Sequence, residues 1–211
     1  MIIILIQMYL PFFITSLLYS NYNIIFIYLK YILLYNNKGD YMKIETLVLG
    51  ELQTNCYILK SKNDCIIIDP ADEYNKIIEC VGDLSVKAIL ITHNHFDHIQ
   101  ALSELKKRYN LIENNYLDVD NLEVINTKGH TDDSKTFYFR EDKIMFCGDF
   151  LFKDTFGRTD LGGNNEDMIK SLELINRYDD DITLYPGHGS KTTLGLEKKH
   201  FKEYISYLKN S

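Results

Sequence analysis

The 211-residue chain has no basic patch and no arginine-rich run, and its formal net charge is -7. That excludes nucleic-acid binding as the expected main task, because phosphate contact needs clustered cations. No C-x-x-C pair occurs among its four cysteines, Cys56, Cys65, Cys80 and Cys147. Scattered thiols fit buried side chains in a reducing compartment, here the cytoplasm, better than a disulfide framework. Repeats and low-complexity tracts are missing after Met42. With 45% hydrophobic and 25% charged residues, the chain can form one domain with a sizeable core.

The first stretch is different. Met1 to Tyr19 contains no Lys, Arg, Asp or Glu, and Ile24 to Tyr35 is apolar but for Lys30. It lacks the positive start and small-residue cleavage site of a secretory signal, although its length would span a bilayer. Its Ile, Tyr, Asn, Leu, Phe and Lys are what translated AT-rich non-coding DNA yields. Asn37 to Tyr41 can be encoded by a sequence containing a ribosome-binding site just ahead of Met42. The expectation is therefore that residues 1–41 are an apolar extension from a mis-assigned start, with a membrane anchor as the alternative. Residues 42–211 are the expected folded domain, with no membrane partner if Met42 is the start.

From Met42 onward, apolar spacing predicts strands over 43–49, 55–60, 65–69 and 87–92, and a helix over 73–81. A single helix is expected over 97–109. A strand over 122–125 and a hairpin of 136–139 with 143–147 follow. Asn165 is expected to cap a helix over 166–178. A last strand over 182–185 and a closing amphipathic helix over 196–208 complete the chain. Periodicity alone gives a layered α/β protein.

What the chain does have is Thr92-His93-Asn94-His95-Phe96-Asp97-His98, directly after the apolar run Ala88-Ile89-Leu90-Ile91. Three imidazoles and a carboxylate leave a strand end together, a usual place for a site in an α/β protein. Such N and O donors suit zinc, iron or manganese. Three further candidates follow apolar strands and neighbour glycines: His130 after Gly129, Asp149 after Gly148, and His188 between Gly187 and Gly189. The remaining histidine, His200, sits in a Lys-rich helix and reads as a solvated surface residue.

The pattern H-x-H-x-D-H, followed in order by His130, Asp149 and His188, resembles the metallo-β-lactamase-fold hydrolases. The resemblance implies a four-layer αβ/βα sandwich with its metals at one edge between the sheets. It implies two divalent cations, most often zinc, with iron or manganese as alternatives. His93, His95 and His130 would hold the first, Asp97, His98 and His188 the second, and Asp149 would bridge them. A hydroxide between the metals would be the nucleophile, with Asp97 able to orient it. Phe152 to Gly163 and Leu184 to Gly189 look like the loops of small type II glyoxalase-like enzymes, the hydroxyacylglutathione hydrolases. That branch implies a small acyl-thiol substrate such as an S-lactoyl thioester, with Arg158 as a candidate substrate contact. The alternative role for Arg158 is a loop-stabilising surface ion pair. Cys147, two residues before Asp149, would share its face by strand alternation.

The sequence departs from the family pattern in three places. Asp132-Asp133 replace Pro-Gly after His130, the segment from His98 to His130 is short, and only one helix follows His188. The thiol carrier is therefore open. Two other activities use the same fold: a mononuclear-iron persulfide dioxygenase, needing only His93, His130 and Asp149, and a lactone or ester hydrolase.

Overall fold

The computed structural model describes residues 43–116 and 119–211. The apolar extension expected at 1–41 lies outside the described residues. Residues 42–211 form a compact unit of their own. Among the described residues, no helix is long and apolar enough to cross a membrane.

One sheet has the order β1 (Lys43–Leu49), β2 (Thr54–Lys60), β3 (Asp64–Ile68), β4 (Ser85–Leu90). Its first two pairings are antiparallel and β3 runs parallel to β4. The second sheet has the order β11 (Thr192–Thr193), β10 (Thr183–Pro186), β7 (Ile144–Gly148), β6 (Lys135–Phe139), β5 (Leu122–Asn126). A small hairpin, β8 (Leu151–Phe152) and β9 (Thr155–Phe156), stands between β7 and the next helix.

Strand alternation sorts the core into three clusters. From the first sheet, Tyr57, Leu59, Ile68 and Leu90 meet Phe137, Phe139, Ile144 and Phe146 of the second. The opposite-facing Cys56, Ile58, Cys65, Ile67 and Ile89 pack with Ile77 and Val81 of α1 (Tyr74–Val81) and Leu105 of α3 (Leu102–Tyr109). Met145, Cys147 and Leu184 pack with Met168, Leu172 and Ile175 of α4 (Asn165–Ile175) and with Phe201 and Leu208 of α6 (Phe201–Asn210). Helix, sheet, sheet, helix is the four-layer αβ/βα sandwich the resemblance implies. Strands β2 and β7 are buried at nearly every position because both of their faces are covered.

Local pattern fails in four places. The single helix expected over 97–109 is two, α2 (Phe96–Ile99) and α3. The amides of Gln100 and Ala101 leave the ladder and donate to the carbonyls of Ala71 (2.9 Å) and Pro70 (3.1 Å). The cap of α4 is Asn164 rather than Asn165. Its backbone is extended and its side chain accepts from the Asp167 amide at 2.8 Å. The strand over 182–185 is not the last, since β11 follows it. The closing helix is broken into α5 (Leu194–Glu197), a 3-10 turn (Lys198–His200) and α6. The fully buried Glu197 carboxylate holds the first piece, accepting from the Thr192 hydroxyl (2.5 Å) and the Asp154 amide (2.8 Å).

Candidate metal centre

Four chain segments meet at one edge between the two sheets. Strand β4 delivers Thr92 to His98, and β5 runs into the turn that carries His130. Asp149 directly follows β7, and His188 follows β10. The sheets are tied together there by the Lys135 amide, which donates to the Thr92 carbonyl at 2.9 Å.

The ring nitrogens define the site. His93 Nε2 lies 3.1 Å from His95 Nδ1, which lies 2.9 Å from His130 Nε2. His98 Nε2 lies 3.3 Å from Asp149 Oδ1 and 3.6 Å from Asp97 Oδ2. His188 Nε2 lies 3.4 Å from Asp97 Oδ2 and 3.5 Å from Asp149 Oδ2. Ligand atoms within 4.8 Å of one another form three groups: His93/His95/His130, His93/His98/Asp149 and Asp97/His98/His188.

Each imidazole has a second nitrogen, and all five of these meet oxygen. His93 Nδ1 faces Thr92 Oγ1 at 3.1 Å and His95 Nε2 faces the Leu161 carbonyl at 3.0 Å. His98 Nδ1 faces Asp69 Oδ2 at 3.0 Å, and His130 Nδ1 faces the Arg158 carbonyl at 2.7 Å. His188 Nδ1 faces the Leu52 carbonyl at 3.1 Å. The Thr92 hydroxyl donates its own proton to Asp69 Oδ2 (2.7 Å), so its oxygen is free to accept from His93. Each ring therefore donates outward and turns a bare lone pair inward, the tautomer that a ligating histidine needs.

The inward atoms are lone pairs facing lone pairs and carboxylates. His98 Nε2 and Asp149 Oδ1 are buried with no hydrogen-bond partner. Buried acceptors converging without donors are unfavourable unless a cation sits among them. The residues fit divalent cations on this ground alone.

The electrostatics agree. Burial, reinforced by the neighbouring imidazoles, lowers His93 to about 2, so this ring is neutral. Burial also lowers His130. For Asp149, burial acts upward, but the His188 and His98 rings facing it at 3.5 and 3.3 Å overcome it and hold the carboxyl well below its usual range. For His98, burial acts downward, but the Asp69 and Asp149 carboxylates outweigh it and raise the ring to about 10. His188 is raised by the Asp149 carboxylate facing its Nε2 at 3.5 Å. The carboxylates thus create strong demand for positive charge between them, which a divalent cation meets as well as protons do.

Backbone must come close for this packing. A Cβ on Gly187 would collide with Asp149 Oδ1 and with His98 Cε1, so only glycine fits there. Gly148, at φ +49°, turns Asp149 toward the site and leaves Cys147 behind in the helix-side core. The expected shared face of Cys147 and Asp149 is therefore wrong, because a left-handed residue between them breaks the alternation. Cys147 Sγ instead lies 3.1 Å from the Leu151 carbonyl, and burial pushes the thiol up to about 12.

Arg158 reaches the cluster through its carbonyl. Its guanidinium pairs bidentately with Asp160, at 2.6 Å for both Nε–Oδ1 and Nη2–Oδ2, on an exposed loop. His200 is partly exposed and stacks on Tyr204. All four cysteines are free; Cys80 is half-buried rather than buried, and donates to Glu45 Oε2 at 2.9 Å.

Sequence reasoning missed Asp69, Thr54 and Thr92. Asp69, 1% exposed, accepts from the Thr92 amide (2.8 Å), the Thr92 hydroxyl and His98. Apolar spacing places it only at the end of the expected strand over 65–69. The signal available was its position: a carboxylate closing the strand parallel to the one that delivers the histidines. Thr54, 1% exposed, donates to Asp97 Oδ2 at 2.8 Å. No local pattern connects two residues so far apart in the chain.

A four-layer αβ/βα sandwich with histidine and aspartate groups able to hold metal ions at the edge between its sheets defines a class of metalloprotein. The chain belongs to the metallo-beta-lactamase superfamily, whose profile matches residues 49–113 and 110–188. It is 30% identical over 203 residues to the hydroxyacylglutathione hydrolase GloC of Haemophilus influenzae, covering 75% of this chain and 96% of that one. It is 30% identical over 200 residues to the probable metallo-hydrolase YqgX of Bacillus subtilis, covering 74% and 95%. Among solved structures, TTHA1623 in a di-iron-bound form is 28% identical with a TM-score of 0.66, covering 72% of this chain and 96% of that one.

Proposed function

We propose that the chain is a dinuclear-metal-dependent thioester hydrolase of glyoxalase II type, acting in the cytoplasm on small acyl-thiols such as S-lactoyl thioesters. The observation that carries this reading is the convergence of five outward-donating imidazoles on Asp97 and Asp149. His93, His95 and His130 would hold one cation and Asp97, His98 and His188 the other, with Asp149 between them. Zinc suits these donors, and iron and manganese are compatible with them. A pair of bound divalent cations supplies an acidified water and polarises the acyl carbonyl.

The chain's own residues do the rest. Thr54 fixes the Asp97 carboxylate, so Asp97 can orient the attacking water. The leaving thiolate needs little protonation, since a thiol's pKa is about 8.5, so the site requires no additional general acid. Leu52, Phe96 and Leu161 are exposed, and each adjoins a residue or carbonyl of the cluster, giving the rim apolar surface for an acyl-thiol. Contact between Arg158 and a substrate carboxylate would need Asp160 to release it, which leaves glutathione one carrier among several. The named relative in Haemophilus influenzae supports the thioester class. Acidic charge and free thiols favour a small-molecule partner in the cytoplasm over nucleic acid or membrane. A one-iron dioxygenase would leave Asp97, His98 and His188 converged without a task.

The assay is release of free thiol from a panel of S-lactoyl thioesters, using protein fully loaded with zinc or iron. The expected outcome is kcat/KM above about 10⁴ M⁻¹s⁻¹ on at least one carrier, the lower end for an ordinary enzyme. Thiol release no faster than the uncatalysed rate across all carriers would end the reading.

A further inference from the structure

We propose that Thr54 and Asn55, which open β2, decide whether this site takes one cation or two; this rests on the dinuclear reading above. The two ligand groups are supported by different parts of the chain. In the first, His95 and His130 are oriented by carbonyls of one loop, those of Leu161 and Arg158. In the second, Asp97 follows β4 of one sheet while His188 follows β10 of the other. Something must fix the distance between residues carried by separate sheets, and the two adjacent residues Thr54 and Asn55 do so.

Thr54 Oγ1 donates to Asp97 Oδ2 at 2.8 Å, the same oxygen that lies 3.4 Å from His188 Nε2. Thr54 also pairs with His188 as an isolated antiparallel bridge. Asn55 grips the turn on either side of that histidine. Its amide N–H donates to the Gly187 carbonyl at 2.7 Å, and its side-chain Nδ2 donates to the Pro186 and Gly189 carbonyls at 3.0 Å each. Both residues are about as buried as any in the protein, at 1% and 2% exposure. Two residues earlier, the Leu52 carbonyl sets the tautomer of His188. One hairpin end thus orients both Asp97 and His188 and makes no hydrogen bond to His93, His95 or His130 among the described residues.

Outer contacts of this kind change metal affinity by about 10- to 100-fold when removed. Titration of chelator-stripped full-length protein with Zn(II), against a chromophoric competitor, tests the proposal. The wild type is expected to bind two equivalents. In Thr54→Val the first equivalent keeps its affinity and the second weakens at least tenfold, while Thr54→Ser, which restores the hydroxyl, recovers most of it. Asn55→Asp, which turns one donor into an acceptor against a carbonyl, is expected to weaken the second equivalent as well. If that variant fails to fold, the Thr54 pair decides. Equal weakening of both equivalents in Thr54→Val, or two unchanged ones, overturns this role while the dinuclear reading stands. A wild type that binds only one equivalent overturns both.

Discussion

Replacing Asp149 with alanine should slow the proposed acyl-thiol hydrolysis on the order of a thousandfold, about 4 kcal/mol of transition-state stabilisation. Among the described residues, Asp149 is the one whose carboxylate reaches toward both ligand groups. Its Oδ1 faces His98 at 3.3 Å, and its Oδ2 faces His188 at 3.5 Å and His130 at 3.6 Å. Two divalent cations placed close together repel each other strongly in a buried site. A carboxylate between them would offset that repulsion, and alanine could not. Asp149→Asn keeps the shape and removes the charge, so it separates the two contributions. Its activity should fall nearly as far if charge is the main factor. The check is kcat/KM alongside metal content, measured on variants whose far-UV spectra match the wild type. Activity within tenfold of wild type in Asp149→Ala would exclude a bridging role.

Asp69→Ala should cost folding stability rather than chemistry alone. The carboxylate accepts three hydrogen bonds in a fully buried position: the Thr92 amide, the Thr92 hydroxyl and His98 Nδ1. Alanine would leave all three donors unpartnered, at roughly 1–3 kcal/mol for each buried group. A total near 4 kcal/mol is a large part of a domain's ordinary stability of about 5–15 kcal/mol. For a domain of this size that is a fall in Tm of about 10 °C. Calorimetry of the metal-loaded proteins measures it. His98 would lose its tautomer-setting partner in the same step, so the variant should also bind metal more weakly. A Tm within about 2 °C of wild type would mean that the Asp69 contacts contribute little.

Most of the sandwich was legible because its strands are covered on both faces and punctuated by glycine and proline. The β1 pattern Lys43–Leu49 reads directly as a half-buried strand, and β2 and β7 read as apolar runs. The candidate metal-binding side chains were legible for a different reason. His93, His95, Asp97 and His98 are crowded into six residues, and His130, Asp149 and His188 each sit beside a glycine at a strand end. What escaped was set by remote partners. The break between α2 and α3 depends on carbonyls of Pro70 and Ala71 taking the amides of Ala101 and Gln100. The inward turn of Asp149 depends on one left-handed glycine. The structural weight of Asp69 depends on Thr92 and His98 arriving just beyond the end of the neighbouring strand β4. Apolar spacing records burial along one segment, whereas these features are hydrogen bonds between segments that meet only after the sheets have formed.

On the reading proposed above, this edge of the sandwich would hold two metal ions by seven side chains. Anomalous diffraction from crystals of the metal-loaded protein, recorded on both sides of the metal absorption edge, tests it most directly. Two peaks are expected. One is bounded by His93, His95 and His130, the other by Asp97, His98 and His188, and Asp149 lies between them. A single peak from fully loaded protein, or a second ion ligated elsewhere on the chain, would contradict it.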